Sequence, residues 1–165
     1  MKVQGFPPIV GAEPTRLILG SMPGVASLEA DQYYAKRGNA FWRIIEALFE
    51  IPTALPYAER CERLTARGVA LWDVIAQCER EGSLDGNIVE ASIVPNDFQR
   101  FLDDHPTIIR IHFNGGKAEE SYRRHVLPKL EGRAAELPRT RLPSTSPAHT
   151  VKFETKLEAW REIVR

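Results

Sequence analysis

Leu17-Ile18-Leu19-Gly20-Ser21-Met22-Pro23-Gly24 decides the fold. A short apolar run stops abruptly at a glycine and proline turn, which is how a buried strand feeds a loop. Arg16 to Leu19 is the first of four such runs. The others are Val69 to Val74, Ile108 to Phe113 and a weaker Arg139 to Leu142. Helical periodicity fills the stretches between them. Phe41, Ile44, Ile45, Leu48 and Phe49 fall at i, i+3, i+4, i+7 and i+8. Tyr57 to Arg67 is a charged helix with Cys61 and Leu64 on its apolar side. Asn96-Asp97 can cap Phe98 to Leu102, which ends before Pro106. Lys117 to Leu130 is helical until Pro128 bends or ends it. The last helix is expected from His149 or Thr150, with Leu157, Trp160, Ile163 and Val164 on its buried face.

Strands alternating with helices predict an α/β fold, a three-layer α/β/α sandwich on a mainly parallel sheet. The chain has 165 residues and no linker long enough to divide it, so one domain over 1–165 is expected. In open parallel sheets, ligands bind beyond the carboxyl ends of the strands. The four strand exits are Gly20 to Gly24, Trp72-Asp73, Asn114-Gly115-Gly116-Lys117 and Pro143-Ser144-Thr145-Ser146-Pro147. They should meet at one edge.

The exits suit a flat, neutral, hydrogen-bonding ligand. Gly20 and Gly24 permit close backbone approach, and Pro23 stiffens the turn. Asn39, just before Phe41-Trp42, is either a helix cap or a pocket amide that both donates and accepts. Tyr34 precedes that helix and is the better stacking candidate, because Phe41 and Trp42 begin the apolar face. Asn114 could read a base edge, and Lys117 opens a helix where anions are favoured. Leu142-Pro143-Ser144-Thr145-Ser146 is a stiff hydroxyl-rich loop after the basic Arg139-Thr140-Arg141, and such loops grip phosphates.

Other chemistries lack their signatures. Neither G-x-G-x-x-G nor G-x-x-x-x-G-K-[ST] occurs, and there is no G-x-S-x-G nucleophile elbow. Cys61 and Cys78 form no C-x-x-C pair, and His105, His112, His125 and His149 lack metal-ligand spacing, so no metal and no cofactor are expected. Formal net charge is zero, so any positive surface is local. There is no secretion signal and no apolar run near the ~18 residues of a membrane span. A reduced, cytoplasmic protein is expected, nucleoid-associated if its source is bacterial.

Taken together, these segments resemble the uracil-DNA glycosylase superfamily, and best its hypoxanthine-DNA (deoxyinosine) glycosylase branch, family 6. The resemblance rests on Gly20-Ser21-Met22-Pro23-Gly24 with Gln32-Tyr33-Tyr34-Ala35 and Asn39-Ala40-Phe41-Trp42. It continues in Ala70-Leu71-Trp72-Asp73-Val74, Phe113-Asn114-Gly115 and Leu142 to Ala148. It implies a four-stranded parallel sheet and a metal-free, monofunctional enzyme that cuts the N-glycosidic bond of a deaminated base in DNA; a monomer acting on DNA is expected. By resemblance Asn39 is the catalytic position, Tyr34 stacks on the base, and Asn114 is a second pocket amide. The Leu142 to Ala148 segment, with Pro143, Ser144, Thr145 and Ser146, is the loop that enters the minor groove. The backbone N–H groups of Ser21 and Met22 are further candidates for base contact. Uracil-specific members commonly place Asp or Asn where this chain has Met22, so hypoxanthine is the expected base. A uracil or mismatch glycosylase, a non-catalytic binder of damaged DNA and a small-molecule hydrolase are the alternatives.

Overall fold

The computed structural model describes all residues, 1–165. The chain opens with a short strand β1 (Lys2–Gln4), followed by β2 (Arg16–Gly20). Helices α1 (Val25–Ala30), α2 (Phe41–Phe49) and α3 (Tyr57–Ala66) come next. Strands β3 (Val69–Asp73) and β4 (Ile75–Glu79) are joined by Val74 alone. Then come β5 (Val94–Pro95), α4 (Phe98–Asp104), β6 (Arg110–Asn114) and α5 (Gly116–Ser121). The chain closes with α6 (Arg133–Glu136), β7 (Arg139–Leu142) and α7 (Phe153–Trp160).

The four predicted strands form one four-stranded sheet in the order β3-β2-β6-β7, with every neighbouring pair parallel. Its two-residue side-chain period explains the layers. Leu17 and Leu19 face one core with Ala70, Trp72, Ile111 and Phe113, which α4, α5 and α6 cover through Phe98, Leu102, Ala118 and Ala134. Ile18 faces the other core with Val69 and Leu71, where α2, α3 and α7 contribute Phe41, Ile45, Leu64 and Trp160. A strand buried on both faces reads as a continuous apolar run, which is why β2 was legible.

Three expectations needed correction. Val74 lies outside β3, because the chain turns there into a second, antiparallel sheet, β1-β4-β5. Helix α5 is regular only to Ser121, and a wide turn over Tyr122–Val126 and a tight one over Leu127–Lys129 follow. Pro128 has no N–H for the Arg124 carbonyl, so the ladder opens ahead of it. The last helix begins at Phe153 rather than at His149 or Thr150. Residues before it are held in a turn, with the Ala148 N–H donating to Ser146 Oγ at 3.2 Å and the His149 N–H to the Ser146 carbonyl at 3.0 Å.

Candidate active site

All four strand exits line one cleft of about 550 Å³, together with Tyr34, Asn39 and the Ser83–Asn87 loop. That volume suits a small flat ligand. The β2 exit supplies the floor. Its Ser21 hydroxyl donates to Asp85 Oδ1 at 2.7 Å. The Ser21 and Met22 N–H groups donate to no backbone acceptor, and both residues line the cleft. The Met22 side chain is 7% exposed and packs into the core beneath the floor. Buried Arg80 braces this turn from behind, donating from Nε to the Gly82 carbonyl and from Nη2 to the Pro23 carbonyl, each at 2.7 Å.

Asn39 lines the cleft one residue ahead of Ala40, the N-cap of α2. Its Oδ1 accepts the Phe41 N–H at 2.9 Å at the start of α2. A backbone N–H can only donate, so the atom it meets must be the amide oxygen. The Nδ2 group is therefore turned to the cleft with no protein partner. Asn39 presents donors, held in place by a helix start.

Tyr34 stands in the left-handed region at φ 59°, a conformation that non-glycine residues adopt mainly under constraint. Its ring stacks on Phe41 with centroids 4.1 Å apart and planes 24° apart, and the residue lines the cleft. Phe41 and Trp42 belong to the core, as their helical periodicity predicts. The Tyr34 hydroxyl is buried beside the Asn114 amide. Burial, reinforced by the nearby Asp73, pushes it well above the ordinary tyrosine range, so it remains a donor.

Asn114 holds a different post from a free reading amide. Its Nδ2 donates to Thr145 Oγ1 at 3.0 Å, and its Oδ1 accepts the Thr145 N–H at 2.9 Å. This clamp ties the β6 exit to the loop after β7 and fixes the amide's orientation. The Asn114 amide's remaining hydrogen-bonding capacity lies beside the Tyr34 hydroxyl. The same loop is pinned from three other sides. Trp160 Nε1 donates to the Pro143 carbonyl at 2.9 Å, the buried Lys156 ammonium to the Ser146 carbonyl at 3.1 Å, and the Ala40 N–H to the Thr145 carbonyl at 2.9 Å. Two of the DNA-contact expectations change accordingly. Leu142 is 3% exposed and Thr145 1% exposed, so their side chains build the loop from within. Ser144 and Ser146 line the cleft. Pro143 acts here through its carbonyl, held by Trp160. Lys117 is also redirected. Its ammonium pairs with Glu90 at 2.7 Å, where His125 joins at 2.8 Å, and these partners draw the Glu90 carboxyl down to about 2.

Asp73, at the β3 exit, was quoted in the sequence without a role. It is 4% exposed, lines the cleft, and leaves Oδ2 without a partner. Burial raises its carboxyl to about 7; Asp85 pushes the same way and Arg80 opposes. The available signal was an acidic residue ending an otherwise apolar strand. Gly20 explains how it fits. A Cβ there would lie 2.5 Å from Asp73 Oδ1 and 3.2 Å from the Tyr34 hydroxyl. Gly20→Ala is therefore expected to destabilise the protein by about 1–3 kcal/mol through overpacking and to displace both groups. A thermal melt, read beside ligand turnover, checks this, and an unperturbed, fully active variant would contradict the packing.

A family model described as the uracil DNA glycosylase superfamily matches residues 7–164. The chain belongs to the uracil-DNA glycosylase superfamily. Within it, the chain is 39% identical over 121 residues to a hypoxanthine DNA glycosylase of Methanosarcina barkeri (strain Fusaro / DSM 804), covering 73% of this chain and 75% of that protein. It is 34% identical over 163 residues to a hypoxanthine DNA glycosylase of Methanosarcina acetivorans, covering 98% of each. The solution NMR structure of a candidate uracil DNA glycosylase from Methanosarcina acetivorans superposes with a TM-score of 0.79, at 30% identity over the whole of both chains. In superfamily terms, Met22 brings no acid to the first motif. The cleft's buried carboxyl stands on the neighbouring strand, at Asp73. No helix is long and apolar enough to cross a membrane.

Proposed function

We propose that this superfamily member is a DNA repair glycosylase that hydrolyses the N-glycosidic bond of a deaminated base, hypoxanthine first, and leaves an abasic site. The observation that carries the chemistry is the Asn39 carboxamide, with Oδ1 tied to the Phe41 N–H and Nδ2 open to the cleft. The relatives named as hypoxanthine DNA glycosylases support the choice of base.

The target base must leave the stack, at a cost of a few kcal/mol that is lower for a mispaired base. Deaminated bases pair poorly, and this supplies part of the selectivity. In the cleft the base lies against Tyr34. Glycosidic cleavage passes through an oxocarbenium-like state, and negative charge grows on the departing base. Fixed neutral donors in a dry site stabilise that charge with no reorganisation at the moment of reaction. Asn39 Nδ2 and the Ser21 and Met22 N–H groups are such donors. Asp73, whose burial raises its carboxyl to about 7, adds in its protonated form a carboxylic acid that donates to the base edge; its anion would oppose the growing charge. Ser144 and Ser146 face the DNA backbone. The protein acts as a monomer, without a metal, in the compartment that holds the DNA.

Oligonucleotides carrying one hypoxanthine, uracil or xanthine test the base assignment. Hypoxanthine is expected to be released fastest. Faster release of uracil would transfer the chain to the uracil- or mismatch-specific reading.

A further inference from the structure

Taking a base out of a duplex leaves a hole, and proteins that unstack DNA commonly fill such gaps with an apolar wedge. In this chain the loop after β7 offers none at the cleft, because its one exposed large apolar side chain, Val151, does not line it. Beyond Pro143 it reads Ser144, Thr145, Ser146, Pro147, Ala148 and His149, with no large aliphatic or aromatic side chain. Leu84, 56% exposed, lines the same cleft. Of the large apolar side chains left exposed, it is the only one that lines the cleft.

Its loop is built to hold it there. An antiparallel bridge between Arg80 and Ile88 closes the base of the loop. Arg80 then grips the Gly82 carbonyl at 2.7 Å, the Val25 N–H donates to Ser83 Oγ at 2.9 Å, and Ser21 Oγ donates to Asp85 Oδ1 at 2.7 Å. Both immediate neighbours of Leu84 are thus tied to the cleft floor or to α1, while the leucine itself projects. A side chain that contributes nothing to the core is anchored on both flanks.

We infer that Leu84 is the wedge: it enters the base stack and occupies the space of the flipped nucleotide, from a rim of the cleft that the Ser144–Ser146 loop also lines. This rests on the base-excision reading of the cleft. A wedge matters only when there is a stack to enter, which separates it from a general binding role. Leu84→Ala is expected to lose about 10- to 100-fold in kcat/KM on a duplex with hypoxanthine opposite thymine. On the same strand left unpaired, the loss is expected to stay under about threefold. The fluorescence rise of 2-aminopurine beside the lesion should slow by the same factor as duplex turnover. Leu84→Phe, which keeps a wedge, should retain duplex activity. Wild-type release from the unpaired strand checks the glycosylase reading separately. Equal losses of Leu84→Ala on both substrates, or undiminished duplex turnover, would overturn the assignment.

Discussion

Replacing Asn39 with aspartate is expected to lower the rate of base release by about 10²–10³-fold while leaving the fold intact. The asymmetry follows from the two ends of the amide. A carboxylate oxygen can still accept the Phe41 N–H that Oδ1 now holds at 2.9 Å. What changes is the other end, where donors give way to a negative acceptor facing a base that is itself gaining negative charge. Asn39→Ala should show a similar loss in rate and, in addition, about 1 kcal/mol of lost stability as the Phe41 N–H loses its acceptor. Single-turnover release and thermal melts of the two variants separate the roles. An Asn39→Asp protein that turned over at the wild-type rate would remove Asn39 from the chemistry.

Asp73→Asn is expected to stabilise the protein at alkaline pH and to remove a pH limb from its activity. In the folded protein the carboxyl titrates near 7, because it is buried beside Asp85 with only Arg80 in opposition. Unfolded, an aspartate titrates near ~3.9. Between these values the folded state keeps a proton that the unfolded state gives up, so stability falls as pH rises from about 4 to 7. Above that window the full penalty stands, on the order of 4 kcal/mol. The neutral isostere does not titrate. The variant should therefore match the wild type near pH 4 and exceed it at pH 8, as denaturant titrations would show. The same proton bears on catalysis. Wild-type turnover should fall about tenfold per pH unit above 7 as the anion forms beside the departing base, whereas Asp73→Asn should give a flat profile there. An inactive Asp73→Asn protein with normal stability would instead make Asp73 the group that activates water.

Three of the four parallel strands were legible because they are largely buried on both faces, and burial writes itself as an apolar run; the edge strand β7, with Arg139 and Arg141 exposed, gave only a weak signal. Leu17 to Leu19 and Val69 to Leu71 are such runs, and the rule that ligands gather at strand exits then located the cleft. Asn39, Tyr34 and Asn114 could be named because they resemble a known pattern and also suit a neutral, flat ligand. The antiparallel sheet was not legible, since β1 and β5 are too short for a periodic signal and depend on β4 for partners. Contacts across long sequence separations were equally hidden. The Asn114–Thr145 clamp and the Lys117–Glu90 pair join residues whose types alone suggested base and phosphate contacts. Asp73 was visible as a residue but not as chemistry, because its raised carboxyl arises from burial and from Asp85, neither of which a strand pattern encodes.

The central claim is that the cleft breaks a bond rather than only holding a lesion. Incubating the protein with a duplex containing a single hypoxanthine, then assaying free base by chromatography and alkali-labile breaks on a gel, tests it directly. The account predicts one free hypoxanthine for each new alkali-labile site at the lesion. Salt-sensitive binding of the same duplex, with the base still attached and no labile site, would contradict it.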